Sequence, residues 1–274
     1  MTAVPLTGTV WLVGSGDPAS PAFTSGYDAN LYLIRRGGAA YLVDVGSGLG
    51  TQAWLANIRS VLPLEEIEAA VITHYHGDHA AGAAAAGSAG LRLLATEATA
   101  AALRQGDEIA TSLAVAREAG VYPADLRLEP TEVGVLDSAV RSLPGGELTV
   151  IGAPGHCDGH VVVVLDEQDS EGDTRSLFSG DVIFAGGRVS MQALADCRLD
   201  RYASTVIALD RLRADRLFPG HGEAVMDRAW SDIGRAADAF RSLVPPPNLL
   251  VAESFRDEAR RPGTHTERPE SPPS

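Results

Sequence analysis

The sequence predicts an α/β fold in which two β-sheets pack face to face and helices cover the outside. Three observations carry this reading. Short apolar strands gather in two groups, one before residue 96 and one after residue 147. Stretches with helical periodicity separate or follow them. Each strand-rich half also ends in potential metal ligands, which places those ligands along an edge where the two sheets meet. The chain has 274 residues, 45% of them hydrophobic, enough to bury a full core in one large domain.

Taken in order, residues 9–13 (Thr-Val-Trp-Leu-Val) read as a strand, and residues 30–35 and 39–44 as a hairpin around Gly37-Gly38. The loop between them, 14–29, is rich in Gly, Ser and Pro. Residues 51–62 bring Trp54, Leu55, Ile58 and Leu62 round at helical spacing, and Pro63 ends the helix. Strands follow at 69–73 and 91–95, with a helix expected from Asp78 to Ala86. Residues 97–120 read as two Ala-rich helical stretches broken near Gly106-Asp107. This insertion makes the step from His79 to His156 longer than a bare α/β connection needs. Either it is a lid or dimer surface that shapes a pocket, or it is a helical hairpin packed on the scaffold. Strands resume at 148–151, 161–165 and 175–179, with 166–174 read as an acidic, solvated loop. A helix over 205–213 leads into Arg216-Leu217-Phe218-Pro219, and a last amphipathic helix spans 229–243. Beyond it, prolines and charged residues predict a mostly disordered tail over 244–274, with one short helix near 253–260. The expected organisation is one domain over 1–243 and that tail.

A formal net charge of −14 speaks against general nucleic-acid binding. Every basic side chain other than histidine is arginine; there is no lysine. Cys157 and Cys197 are the only cysteines and make no disulfide framework, so a reducing compartment is expected. No basic segment followed by an apolar stretch opens the chain, and no apolar run approaches the ~20 residues of a membrane span. The expectation is a soluble, cytoplasmic protein.

The chemistry concentrates in Thr73-His74-Tyr75-His76-Gly77-Asp78-His79, directly after the apolar run 69–72. Residues two apart in an extended segment point the same way, so His74 and His76 face one point. Gly77 lets the backbone turn and present Asp78 and His79. Gly155-His156, Ser179-Gly180-Asp181 and Pro219-Gly220-His221-Gly222 follow, each at the end of an apolar stretch or just past it. Imidazole suits zinc and iron, while a carboxylate can bridge two cations. Each catalytic zinc takes about three protein ligands, so seven candidates divide as three, three and one shared. His160 reads as a supporting residue, Cys157 as packing beside His156 rather than ligation, and His265 lies in the tail.

These motifs resemble the metallo-β-lactamase fold superfamily over residues 6–230: H-x-H-x-D-H, the P-G-H of Pro154-Gly155-His156, S-G-D and P-G-H-G, with Asp44 matching the short acidic turn near the metals. The resemblance implies a four-layer αββα sandwich of two mixed sheets flanked by helices. It implies two divalent metal ions, zinc first with iron or manganese as alternatives. His74, His76 and His156 would hold the first, Asp78, His79 and His221 the second, and Asp181 would bridge. Asp78 and Asp181 are then the catalytic carboxylates. Asp181 looks more like glyoxalase II and related hydrolases than the true β-lactamases, which generally lack an aspartate there. The missing lysines and the short C-terminus depart from glyoxalase II, so the substrate is not carried over.

The implied reaction is metal-dependent hydrolysis of a thioester or related carbonyl ester on a small-molecule or carrier-linked acyl substrate. The alternatives are a lactonase or other ester or amide hydrolase, and a mononuclear-iron persulfide dioxygenase. Loops that flank the substrate in relatives nominate Tyr27, Arg188 and Met191 as substrate contacts, with Phe23 as a further mouth residue. Neither nucleic acid nor membrane is expected as a partner, and a homodimer is left open through the insertion.

Overall fold

A computed structural model describes residues 2–36, 38–136, 140–143, 148–169 and 172–249. Among these residues the first sheet holds β1 (Val4–Pro5), β2 (Val10–Gly14), β3 (Leu31–Arg36), β4 (Ala39–Val43), β5 (Ile67–Val71), β6 (Leu93–Ala95) and β7 (Gly134–Val135), in that order across the sheet. Pairing is antiparallel as far as β4 and parallel beyond it. The second sheet holds β8 (Val140–Ser142), β9 (Leu148–Gly152), β10 (Val161–Asp169), β11 (Gly172–Gly180) and β12 (Arg216–Pro219), ordered β12-β11-β10-β9-β8. Only the β11–β12 pair is parallel there.

The central strands are apolar at nearly every position because both of their faces are buried. Leu31 and Leu33 of β3 enter the core under the first helical layer, while Tyr32 and Ile34 enter the core between the sheets. Along β4, Ala40 and Leu42 face one way, Tyr41 and Val43 the other. β10 does the same from the second sheet: Val161, Val163 and Leu165 meet the first sheet, and Val162 and Val164 meet the helices. Period-two alternation thus fills two cores from one strand.

Helices close both outer faces. On the first sheet lie α1 (Thr51–Arg59), whose Trp54, Leu55 and Ile58 are buried, then α2 (Gly77–Ala80), α3 (Ala83–Ser88), α4 (Glu97–Gln105) and α5 (Leu113–Glu118). On the second lie α6 (Leu199–Asp210) and α7 (Ala229–Arg241), burying Tyr202, Val206, Ile233 and Phe240. The architecture is the expected α-β-β-α sandwich. None of these helices is long and apolar enough to cross a membrane.

Several local expectations are corrected. The helix expected from Asp78 to Ala86 breaks into α2 and α3 at Gly82, whose N–H donates to Gly46 O at 2.8 Å. A Cβ at Gly82 would stand 2.2 Å from Val45 O. Helix α6 starts at Leu199, earlier than the expected 205. Residues 166–174 are not a free loop: the β10–β11 ladder continues through Asp166↔Arg175 to Asp169↔Gly172. Glu167 is buried there because Thr9 Oγ1 donates to it at 2.7 Å and Arg216 pairs with it at 3.2 Å. The two-part helical insertion is present, with Thr96 capping α4 and Gly106 ending it in the left-handed region.

The start of the expected tail is also tied down. Val189 N–H donates to Pro247 O (2.9 Å), Leu249 N–H to Val189 O (2.7 Å), and Asn248 bonds both backbone groups of Met191. The helix expected near 253–260 lies outside the described residues.

An aromatic cluster locks the two sheets together. Phe178 of β11 stacks on Phe218 of β12 at 4.9 Å between centroids, and Tyr32 meets Phe178 edge-on at 5.5 Å. Phe178→Ala is expected to destabilise the chain by about 3–5 kcal/mol, since it removes the ring and leaves a cavity between layers. Urea unfolding measures this; a loss below about 1 kcal/mol would mean that the layers do not interlock through this ring.

Candidate metal centre

The candidate ligands are delivered where strands of both sheets end. β4 runs into Asp44, whose φ of 64° puts it in the left-handed region. That turn aims the carboxylate at the segment after β5. Thr73 N–H donates to Asp44 Oδ1 at 2.6 Å and Thr73 Oγ1–H to Asp44 Oδ2 at 2.9 Å. His79 Nδ1–H donates to the same Oδ2 at 2.8 Å. With its hydroxyl proton engaged, Thr73 Oγ1 accepts from His74 Nδ1–H at 3.0 Å. One buried carboxylate therefore fixes the tautomer of His79 directly and that of His74 through Thr73, turning both Nε2 atoms inward.

The second sheet supplies the rest. Gly155 has φ +139°, and a Cβ there would stand 2.3 Å from Tyr202 Cα. This close approach lets His156 reach inward, with Nδ1–H donating to Ser190 O at 2.8 Å. Asp181 follows β11; its N–H donates to His160 Nε2 at 3.1 Å, and His160 stacks on His74 at 4.7 Å. His221 follows β12, where Gly220 N–H donates to Gly180 O and Asn30 N–H to Gly220 O. A Cβ on Gly220 would fall 2.4 Å from Asp181 Oδ1 and 2.7 Å from His79 Cε1.

The seven predicted residues converge. His76 Nδ1 stands 3.1 Å from His74 Nε2 and 2.9 Å from His156 Nε2. Asp78 Oδ2 stands 3.0 Å from His221 Nε2 and 3.5 Å from His79 Nε2. Asp181 lies between the two groups: Oδ1 is 3.3 Å from His79 Nε2, while Oδ2 is 3.5 Å from His221 Nε2 and 3.8 Å from His156 Nε2. Nitrogens bound to one tetrahedral zinc at about 2.0–2.1 Å lie about 3.3 Å apart, close to the spacing of the three-histidine group. His79 Nε2 and Asp181 Oδ1 are buried and make no hydrogen bond. Such orphaned atoms suit metal coordination.

Electrostatics agree with the donor set. Burial and the neighbouring imidazoles hold His74 far below its ordinary range and His76 at about 3, so both lone pairs are free. Burial lowers His156 as well. Burial disfavours charge on Asp78 and Asp181, yet His79 and His221 keep both carboxylates ionised. In turn, these carboxylates overcome burial and raise His79 and His221. The same attraction would meet a divalent cation.

Neighbouring groups complete the site. Cys157 is fully buried beside Tyr75, and burial pushes its thiol far up, so it stays protonated. Its sulfur, a His76 nitrogen and an Asp196 oxygen lie within 4.8 Å of one another, and Tyr75 OH donates to Asp196. Tyr122, which no sequence pattern singled out, donates from its OH to Asp78 Oδ1 at 3.1 Å. Its only sequence signal is an aromatic before Pro123 at the end of the insertion.

A chamber of about 650 Å³ opens over His76, Asp78, Asp181 and His221, roofed by residues 111–122 of the insertion. A smaller cleft of about 270 Å³ adjoins it, and Tyr27 lines that cleft. Arg188 and Met191 line neither cavity: Arg188 Nε donates to Ala185 O at 3.1 Å, and Met191 packs against the core under α6 and α7. Ser190 and Gln192, on either side of Met191, face the chamber instead. Phe23 pairs by its backbone with Ser15 and likewise lines neither. A larger groove of about 750 Å³ beside Ala84 and Glu132 contains none of the ligand candidates.

Comparison with known proteins bears on this arrangement. The family model described as Metallo-beta-lactamase superfamily matches residues 25–221. The Beta-lactamase-like protein 2 homolog of Caenorhabditis elegans is 28% identical over 202 residues, which cover 72% of this chain and 56% of that protein. The human Acyl-coenzyme A thioesterase MBLAC2 is 27% identical over 226 residues, 73% of this chain and 75% of that protein. Native FEZ-1 metallo-beta-lactamase from Legionella gormanii superposes with a TM-score of 0.65 at 16% identity, covering 89% of this chain and 95% of that one. That likeness is one of fold. The chain spans little more than half the length of the first two curated relatives it matches.

Two variants test the site. Asp44→Ala frees the His79 ring and the Thr73–His74 link, so metal affinity is expected to fall about 10–100-fold in chelator competition. Gly220→Ala pushes a methyl group into Asp181 and His79, and metal content by elemental analysis is expected to drop while the fold remains. Affinity unchanged in Asp44→Ala would remove that carboxylate from the account.

Proposed function

This chain belongs to the metallo-β-lactamase superfamily, and from that premise we propose that it is a hydrolase that cleaves a thioester whose acyl group is apolar. The observation that carries this reading is the chamber above the ligand edge. Val115, Ala116, Ala119, Val121, Leu194 and Leu249 line it, and among the described residues its only acidic lining side chains are Asp78 and Asp181. Its size falls in the range of small-molecule sites, about 300–1,000 Å³. The thioesterase names of the human relative and of pkgB from Emericella nidulans support the same substrate class.

The donor set fits divalent cations; two of them, zinc by preference, would be held by His74, His76 and His156 on one side and Asp78, His79 and His221 on the other, and Asp181 would serve both. Bound there, they would supply Lewis-acid polarisation of a carbonyl and activation of water near neutral pH. The residues do the rest. Asp44 keeps His79 and His74 in one tautomer, and Asp181 stands within 3.8 Å of both histidine groups. Asp78, held by Tyr122, keeps one oxygen turned to His221. In the overall reaction water adds to the carbonyl carbon, the C–S bond breaks, and a carboxylic acid and a free thiol leave. Neither a serine nor a cysteine nucleophile is needed; Cys157 is buried and protonated.

The reading is tested by a hydrolysis panel of acyl thioesters, lactones and β-lactams, with the metal content of the same preparation. Thioesters are expected to lead in kcat/KM, with about two zinc per chain, and Asp181→Asn is expected to lose at least 100-fold in kcat together with metal occupancy. A lead for lactones or β-lactams would displace the thioester reading. One iron per chain with oxygen uptake on a persulfide would displace hydrolysis itself.

A further inference from the structure

Two cavities, not one, meet at the ligand edge. The apolar chamber and the smaller cleft share four lining residues: Asp78, Val121, Tyr122 and His221. They differ in chemistry. The chamber is walled by the aliphatic side chains of the insertion, and Val115 and Val121 stand more than half exposed toward it. The cleft is bounded by Ser15, Asp17, Tyr27, Asp28 and Asn30 from the first sheet and its loops. Neither cavity has an arginine among its described lining residues.

Tyr122 is the wall between them. Its ring lies 6.1 Å from that of Tyr27, and its OH donates to Asp78 Oδ1. The other Asp78 oxygen faces His221. The insertion can sit this close because residue 77 is glycine: a Cβ there would stand 3.0 Å from Leu113 Cδ1 and 3.3 Å from Tyr122 Cζ. The metal motif and the divider are therefore built as one unit.

We propose that the cavities are subsites for the two arms of a thioester, resting on the thioester reading above. The acyl chain lies in the apolar chamber under the insertion. The thiol arm lies in the cleft, and because the exposed Asp17 carboxylate borders that cleft with no arginine among its described lining residues, the arm is uncharged and hydrogen-bonding, such as an amide-bearing thiol. An anionic thiol arm would meet like charge there. An alkyl chain in the cleft would leave its polar lining unpaired, whereas in the chamber it buries apolar surface. Residues 111–122 then set acyl length and residues 15–30 set the thiol.

The test crosses two substrate series with two variants. Thioesters of N-acetylcysteamine and of 3-mercaptopropionate are prepared with acyl chains from acetyl to decanoyl. The unaltered chain is expected to favour longer chains and the neutral thiol. Ala116→Phe fills the chamber and is expected to lower kcat/KM for the longest chains by about tenfold, with the thiol preference unmoved. Asp17→Arg is expected to shift the preference toward the anionic thiol by about fivefold, with the length profile unmoved. Tyr122→Ala, which joins the cavities, flattens both preferences. Calorimetry adds a readout free of turnover: octanamide and N-acetylcysteamine are expected to bind together. Competition between those two ligands, or an Ala116→Phe or Asp17→Arg variant that moves both preferences, would overturn the assignment. So would a swap of the two preferences between variants. If no thioester is hydrolysed but the two ligands bind together, the hydrolysis reading fails while the two subsites stand.

Discussion

The structure depends on a single buried carboxylate. Asp44 accepts three hydrogen bonds, from the Thr73 N–H, the Thr73 hydroxyl and the His79 ring. It joins the end of β4 to the segment after β5 and orders two imidazoles at once. A buried charge of this kind is costly unless it is fully paired. Here the pairing is complete, and the result is a set of ring nitrogens that point inward before any ion arrives. Such preorganisation is what a hydrolytic centre needs, because reorienting ligands during binding would cost affinity.

Around this anchor the chain brings charges of opposite sign into one buried cluster. Three imidazoles are kept neutral by burial and by one another, while two carboxylates stay ionised beside two histidines whose proton affinity is raised. The backbone makes room by omitting side chains. Gly155, Gly180 and Gly220 each stand where a methyl group would strike a neighbouring backbone or ring. The glycines that precede His156, Asp181 and His221 are thus steric requirements of the cluster.

The layered fold and the convergence of the seven histidine and aspartate side chains were legible in the sequence, for a shared physical reason. Strands buried on both faces must be apolar throughout, and metal ligands must follow them at turns, so both leave contiguous marks such as 69–79. What was not legible depends on partners far along the chain. Residues 166–174 look like a solvated acidic loop until Thr9 and Arg216 are brought against Glu167. The early break of the helix after His79 follows from the turn at Val45-Gly46, more than thirty residues away. Tyr122 has no periodic neighbours and gains its place only when the insertion folds over Gly77. Arg188 was nominated as a substrate contact by the loops of relatives, but its side chain turns back to Ala185 O.

The strap formed by residues 247–249 has a thermodynamic meaning. It grips Val189 and Met191 on either side of Ser190, and the Ser190 carbonyl holds the His156 ring. Docking of the strap and occupancy of the three-histidine group therefore share a common intermediary, the 189–191 loop. If the strap favours the loop geometry that holds His156, occupancy at His156 favours a docked strap by the same free energy, because linkage is reciprocal. Leu249 also faces the chamber, so a ligand resting there enters the same balance. Residues 247–249 thus report on the site as much as they support it.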